Sequence, residues 1–196
     1  KFIHNKTERI FEYKDSWLKV FDKRRFYLPY FQHPDPTVKR KSGFLTPVYS
    51  SSSNLGRAIN IPYFNVISKD KDMTFNPRIY GLDKFILQNE YRQALKNDST
   101  LMADVSLYNG SEGTISHIFA NLDGKTEKNS DYNLQFQSVS NDNYLKIHDM
   151  TVTSPLIDSS SVLTSHLNVN KKFDKDTSLD TSFKVYEELS KKKDSD

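Results

Sequence analysis

The chain has 196 residues, a formal net charge of +3, 36% apolar and 13% aromatic residues, and no cysteine. So small a positive excess gives no ground for nucleic-acid binding, and without cysteine the chain holds no disulfide, Cys-ligated metal or thiol nucleophile of its own. A mix poor in core but rich in aromatics, Ser, Asn, Asp and Lys favours pleated sheet, and no apolar run approaches the roughly 20 residues of a spanning helix. The chain opens on Lys1 without methionine or an apolar leader, and reads as a piece of something longer.

Residues 9–31, RIFEYKDSWLKVFDKRRFYLPYF, carry two short apolar groups, Ile10 to Tyr13 and Trp17 to Phe21. KDS and DKR interrupt them as turn signals, which predicts two or three short strands; the aromatic and β-branched content weighs against a helix over 17–25. An elbow follows in which Pro29, Pro34 and Pro36 fix φ and remove backbone donors, so no ladder is expected to run through it. The stretch is a joint.

Beyond the elbow, segments of about ten residues recur at 43–53, 57–68, 73–82, 85–96, 101–109, 116–124, 131–148, 160–173 and 178–189, separated by turn chemistry such as KDKD and NDST. Several alternate. Leu101, Ala103, Val105 and Leu107 share one face and Met102, Asp104, Ser106 and Tyr108 the other; Leu179, Thr181, Phe183 and Val185 likewise oppose Asp180, Ser182, Lys184 and Tyr186. In 85–95, Gln88, Glu90 and Arg92 form a polar row opposite Phe85, Leu87, Tyr91 and Leu95, with Asn89 as an exception. In 131–148 the apolar face switches near Ser138, which a bulge or an exit from the membrane would explain.

The fold class is therefore all-β, and two architectures fit. A soluble sandwich hides its apolar faces between sheets, whereas a transmembrane barrel turns them toward lipid and keeps polar faces inside. Short turns alternating with connections of variable size, and a heavily charged polar face, tilt the reading toward the barrel.

The ordered series YLPYF, HPDP, RKSGFLTP, PYF, DMTFNPR and EYRQ, with SVSNDNYL further on, resembles the lipopolysaccharide-assembly protein LptD (OstA/Imp) family. The match is dense over 26–94 and continues more thinly to about 148. The resemblance implies residues 1–38 as the C-terminal end of a periplasmic β-jelly roll and 39–196 as the first strands of a large outer-membrane barrel in a Gram-negative bacterium. It further implies lipopolysaccharide as cargo, an LptE-type lipoprotein plug and an LptA-type periplasmic bridge as partners, no cofactor, and transport rather than enzymatic chemistry. Family cysteines that tie jelly roll to barrel have no counterpart here. With the strands ending near Ser190, the sheet is expected to be open and its lone solubility precarious.

Pro47 in FLTPVYS and Pro62 in NIPYFNV each remove a ladder donor, so their strands should hold fewer hydrogen bonds than their neighbours. Each alone also suits an ordinary bulge or edge. In a family whose barrel opens sideways between its first and last strands, the resemblance makes the pair a lateral gate. Pro34, Pro36, Lys39, Arg40, Lys41 and Gly43 form the expected hinge and basic collar, where cations suit passing lipid phosphates, although VKRK at 38–41 also reads as a solvated charge run. Gln88, Glu90, Arg92, Asp104 and Ser106 are expected toward the lumen, and Leu87, Tyr91, Leu101, Ala103, Val105, Phe183 and Val185 toward lipid.

Other chemistry is not indicated. His33, His117, His148 and His166 lack metal-ligand spacing and read as surface or lumen histidines, DKD at 70–72 reads as a turn rather than a calcium loop, and KKK at 191–193 as a solvated loop. The serine run 50–53 lacks G-x-S-x-G, NGSEG at 109–113 lacks the context of a phosphate loop, and no nucleophile is paired with a base. A porin-type barrel and a soluble β-sandwich binding module stay as the alternative functions.

Overall fold

A computed structural model of the chain describes residues 1–20, 22–35, 37, 40–52, 56–81, 84–110, 113–126, 130–150 and 153–189. Strands β1 (Phe2–Asn5), β2 (Ile10–Val20) and β3 (Lys23–Pro34) form one antiparallel sheet in that order. A second, 11-stranded sheet contains β4 (Gly43–Phe44), β5 (Val48–Ser52), β6 (Gly56–Asn60), β7 (Tyr63–Val66), β8 (Lys71–Tyr80), β9 (Lys84–Ala94) and β10 (Thr100–Gly110). It continues through β11 (Gly113–Thr126), β12 (Ser130–Val139), β13 (Val162–Lys172) and β14 (Ser178–Glu188), each pairing with its predecessor. The one α-helical turn among the described residues, α1 (Tyr144–Ile147), lies in the connection from β12 to β13. The fold is all-β.

The structure corrects the early segments. KDS is not a turn: β2 runs through it because Asp15 adopts φ 49 and absorbs the kink. The ladder also runs through the first part of the elbow, since Lys14 pairs with Tyr30 and Ser16 with Leu28 around Pro29, and Ile10 reaches Pro34. Pro29 has no N–H to lose, so a distorted residue opposite it leaves no donor stranded. The turn at DKR is present, with Asp22 at φ 58. The segments 43–53 and 57–68 each divide at their proline, into β4 and β5 around 45–47 and into β6 and β7 around 61–62. Segment 131–148 ends as a strand at Val139, and the chain then leaves the sheet.

From β8 to β14 the pleat separates two chemistries. Register places Asp72, Arg78, Gln88, Glu90, Arg92, Asp104, Ser106, His117 and Gln137 on one side, which we call inner. Ile79, Phe85, Leu107, Ile118, Leu134, Phe136, Leu167, Phe183 and Val185 line the outer side, and all of them are exposed. No second sheet covers that apolar face among the described residues.

One close approach fixes the outer surface between β11 and β12. Tyr132 lays its ring over Gly124, its cross-strand partner, and a Cβ at that position would overlap the ring carbon and hydroxyl. Gly124→Ala should displace the tyrosine ring, the far end of a movable side chain, and lower the unfolding temperature of the assembled protein slightly, by a cost of about 0.5–1.5 kcal/mol. Gly124→Ala combined with Tyr132→Ala should recover part of the loss. Differential scanning calorimetry of the purified protein measures both.

Candidate functional site

The joint between the sheets is built by short polar contacts. Thr37 donates its N–H and its hydroxyl to Asp35 Oδ1, both at 2.8 Å, and these donors hold the Asp35 carboxyl below its usual range; His4 Nε2 lies 2.7 Å from Oδ2. Arg40 Nη2 pairs with Asp72 Oδ2 at 2.7 Å, its other terminal nitrogen donates to the Lys69 carbonyl, and Arg92 Nε reaches Asp72 Oδ1 at 2.9 Å. Lys41 instead donates to the Glu8 carbonyl. Neighbouring cations thus grip opposite bodies, Arg40 the large sheet and Lys41 the turn before β2. Of the other expected hinge residues, Gly43 opens β4 and Pro34 closes β3, while Pro36 and Lys39, and with them the boundary at 38/39, lie outside the described residues.

Against this joint lies an apolar groove of about 260 Å³. Tyr13, Trp17, Leu18, Leu28 and Phe31 of β2 and β3 form most of it, and Thr46 and Pro47, from the break between β4 and β5, complete it. The groove is therefore continuous with the first strand of the large sheet. The Trp17 ring lies tilted against Tyr27, 5.4 Å between centroids, and both stay half exposed.

The strands beside that groove are weakly joined. Among the described residues β4 meets β7 only at Gly43↔Phe64 and Phe44↔Tyr63, and β6 meets β8 only at Ile59↔Ile79 and Asn60↔Arg78. By contrast β10 and β11 pair without interruption from Thr100↔Asp123 to Gly110↔Gly113. Pro47 and Pro62 stand at the two breaks, and the Pro62 carbonyl accepts from Leu45 N at 2.8 Å.

The inner face carries what the sequence did not disclose. The connection from β12 to β13, here called the strap, folds back over the sheet. Tyr144, Leu145, Met150 and Ile157 are buried with Tyr80, Ile86, Tyr108 and Phe119. Beneath them runs one hydrogen-bond chain. Asp104 accepts from Gln88 Nε2 at 2.8 Å and lies 2.9 Å from His117 Nε2; Ser106 Oγ bridges His117 Nδ1 at 2.8 Å and Tyr144 Oη at 2.6 Å. With Asp104 ionised and His117 neutral, His117 donates to the carboxylate through Nε2, its Nδ1 accepts from the Ser106 hydroxyl, and Ser106 accepts from Tyr144. Arg78 closes the chain, donating to Gln88 Oε1 and the His148 carbonyl, both at 3.2 Å, and to Met150 Sδ at 2.8 Å.

His117, on the inner side as a lumen histidine would be, and His148, in the strap, are both buried, because the strap covers the one and seats the other. His166 makes a polar contact to Asn133, and the side chain of His33 lies outside the described residues. Asp104, His117 and Ser106 stand in the order of a nucleophile with its base. However, Ser106 is buried in mid-strand with its hydroxyl taken by Tyr144, so the alignment is a structural relay that no substrate reaches. Gln88 and Asp104 lie under the strap; Glu90 and Arg92 sit toward the joint, where Arg92 joins Asp72. Asp70 lies in a tight turn and Asp72 already in β8, so DKD holds no calcium loop. Among the described residues no three His, Asp or Glu side chains converge on a metal position, and no helix is long and apolar enough to cross a membrane.

No family model matches the chain. It is 34% identical over 117 residues to the LPS-assembly protein LptD of Yersinia enterocolitica, covering 57% of this chain and 15% of the relative. It is 31% identical over 136 residues to that of Pseudoalteromonas atlantica, covering 67% and 18%. The chain belongs to the LptD family. To the LptD of Idiomarina loihiensis it is 28% identical over 149 residues, 68% of this chain and 18% of the relative. The chain thus spans less than a fifth of the length of these LptD relatives.

The strap should respond to acid with a defined sign. Burial against the rings of Tyr108 and Tyr144, reinforced by the Arg78 guanidinium, pushes His148 down from 6.5 to about 4. The released strap therefore binds the proton more tightly than the seated one. Seating is undiminished above about pH 6.5, weakens as pH falls toward 4, and changes no further below that. Hydrogen exchange at the amides of 144–150, corrected for intrinsic rates, should speed up from pH 7 to pH 5, and His148→Gln should remove that dependence.

Proposed function

We propose that this chain is the part of a lipopolysaccharide-assembly protein where a periplasmic lipid groove meets the wall of an outer-membrane barrel. The observation that carries the reading is the groove itself: the small sheet forms it, and Pro47 of the large sheet completes it. An acyl chain held there lies beside the least paired strands of the wall.

Three further features support it. The exposed apolar outer face suits lipid, and the inner face suits a lumen, which makes Gln88, Glu90, Arg92 and Asp104 wall residues of that lumen. The breaks at Pro47 and Pro62 suit a lateral gate, because strands joined by so few pairs part at small cost. Arg40 and Lys41 suit a hinge that holds groove and gate in line. On this reading 1–38 is the end of the jelly roll, 39–196 begins the barrel, and both the bridge that loads the groove and the lipoprotein that plugs the finished barrel act from outside this chain. The reaction is passive transfer, without a catalytic group. A soluble sandwich would need a second layer over Phe85, Leu107, Ile118 and Phe183, and a porin would need neither groove nor broken strands.

A photoreactive side chain at Leu18 or Leu28 of the complete protein should crosslink to lipopolysaccharide in cells, and one at Lys23, at the start of β3, should not. Absence of crosslinks at both groove positions removes the lipid reading. Replacing both Pro47 and Pro62 by Ala restores two N–H donors, each adding about 0.5–1.5 kcal/mol of pairing where geometry permits. The double variant should assemble normally, slow export, and weaken the barrier to bulky antibiotics. Wild-type transport by a fully assembled double variant would remove the gate assignment.

A further inference from the structure

The hairpin of β5 and β6 is attached to the wall at two places. One is the short ladder to β8, where Asn60 pairs with Arg78. The other is Ala58, the next inner position along β6, which is buried in the same cluster as Tyr144, Leu145 and Met150 of the strap. Arg78 belongs to both attachments, because its guanidinium also donates to the His148 carbonyl and to Met150 Sδ. The strap therefore grips the wall where the hairpin does.

Its seat is also incompletely satisfied. Asn60 Oδ1, Asn76 Oδ1, Arg78 Nε and His148 Nδ1 are buried without a hydrogen-bond partner among the described residues. Asn89 Oδ1 and Asn170 Oδ1 share that condition elsewhere in the sheet, so what sets this contact apart is Arg78 and Ala58.

We propose that the strap is a clasp on the β5–β6 hairpin, with Arg78 as the positioning residue that couples the two. Seated, it holds the hairpin to β8 through Arg78 and Ala58. Released, it leaves the hairpin on two residue pairs beside proline-broken backbone. The consequence for lipid passage rests on the gate reading above, but the coupling itself does not, and it is measured without lipopolysaccharide.

The test is hydrogen exchange on the complete, assembled protein in detergent. Tyr144→Phe removes the bond to Ser106 away from the β6–β8 ladder and leaves Arg78 intact. It should speed exchange at 144–150 by about tenfold, the change expected for one lost hydrogen bond. Exchange at 58–60 should rise by a similar factor, with the β10 and β11 amides unchanged. Arg78→Ala should have a larger effect on both segments, and Arg78→Lys, which keeps a donor, should restore part of it. A faster strap beside an unchanged hairpin overturns the proposal, as does an unchanged strap in both variants. Acceleration of the hairpin by Arg78→Ala but not by Tyr144→Phe also overturns it, since local pairing through Asn60 then accounts for everything. Should Arg78→Ala fail to assemble, Tyr144→Phe decides alone.

Discussion

The large sheet depends on how a single carboxylate is kept. With the outer face apolar, charge has to be held on the inner side, and Asp104 holds it at 0% exposure. A buried carboxylate left without partners costs about 3–5 kcal/mol, so its donors Gln88 and His117 are not exchangeable decoration. Each donor is itself aimed by another group, Gln88 by Arg78 and His117 by Ser106, and Ser106 is aimed in turn by Tyr144. The network thus starts on β8, crosses three strands and ends on the strap. Covering the inner face and satisfying Asp104 are one event, because removing the strap takes a partner from both ends of the chain.

That arrangement divides the sheet mechanically. Strands β8 to β11 are joined by uninterrupted ladders and by side chains that bond across them beneath the strap. Among strands β4 to β7 the ladders β4–β7 and β6–β8 hold two residue pairs each, and β5–β6 and β7–β8 only five and four among the described residues, without that network. On the proposed gate reading, opening falls at the proline-broken end, because parting β8 to β11 would expose a carboxylate, an imidazole and a guanidinium together. Stiffness in one place defines the weak place in another.

The strands were legible because period-two alternation survives in single sequences: 101–109 and 178–189 match their elements within a few residues. Pro47 and Pro62 were legible as breaks of the ladder, whereas Pro29 was expected to be one and the ladder runs past it. KDS misled because turn residues also serve a kink within a strand, and what decides between them, the pairing of Lys14 with Tyr30 and Ser16 with Leu28 in one register, lies on the next strand. The strap was missed because one helical turn, YLKI, is too short to show a period and borders a strand pattern. The relay was missed because Asp104, Ser106 and His117 meet only through register. A signal existed: with Gly110 paired to Gly113 across a two-residue loop, Ser106 has to face His117. Tyr144 had no such signal, since only the folded strap brings it there.

The two prolines also solve a problem that a break of another kind would create. Interrupting a strand usually strands N–H groups, and an unpaired donor beside an apolar groove is a costly neighbour for a hydrocarbon chain. Proline breaks the ladder without leaving a donor, and its ring adds apolar surface. At Pro47 that ring joins Leu18 and Leu28 in the groove, and at Pro62 the leftover carbonyl is taken by Leu45 N. Glycine or serine at position 47 could bend the backbone as well, but each would return an N–H to the groove wall. On the proposed path the chemical identity of the break therefore matters more than its flexibility: the wall is loosened while the surface that acyl chains touch stays free of unsatisfied donors.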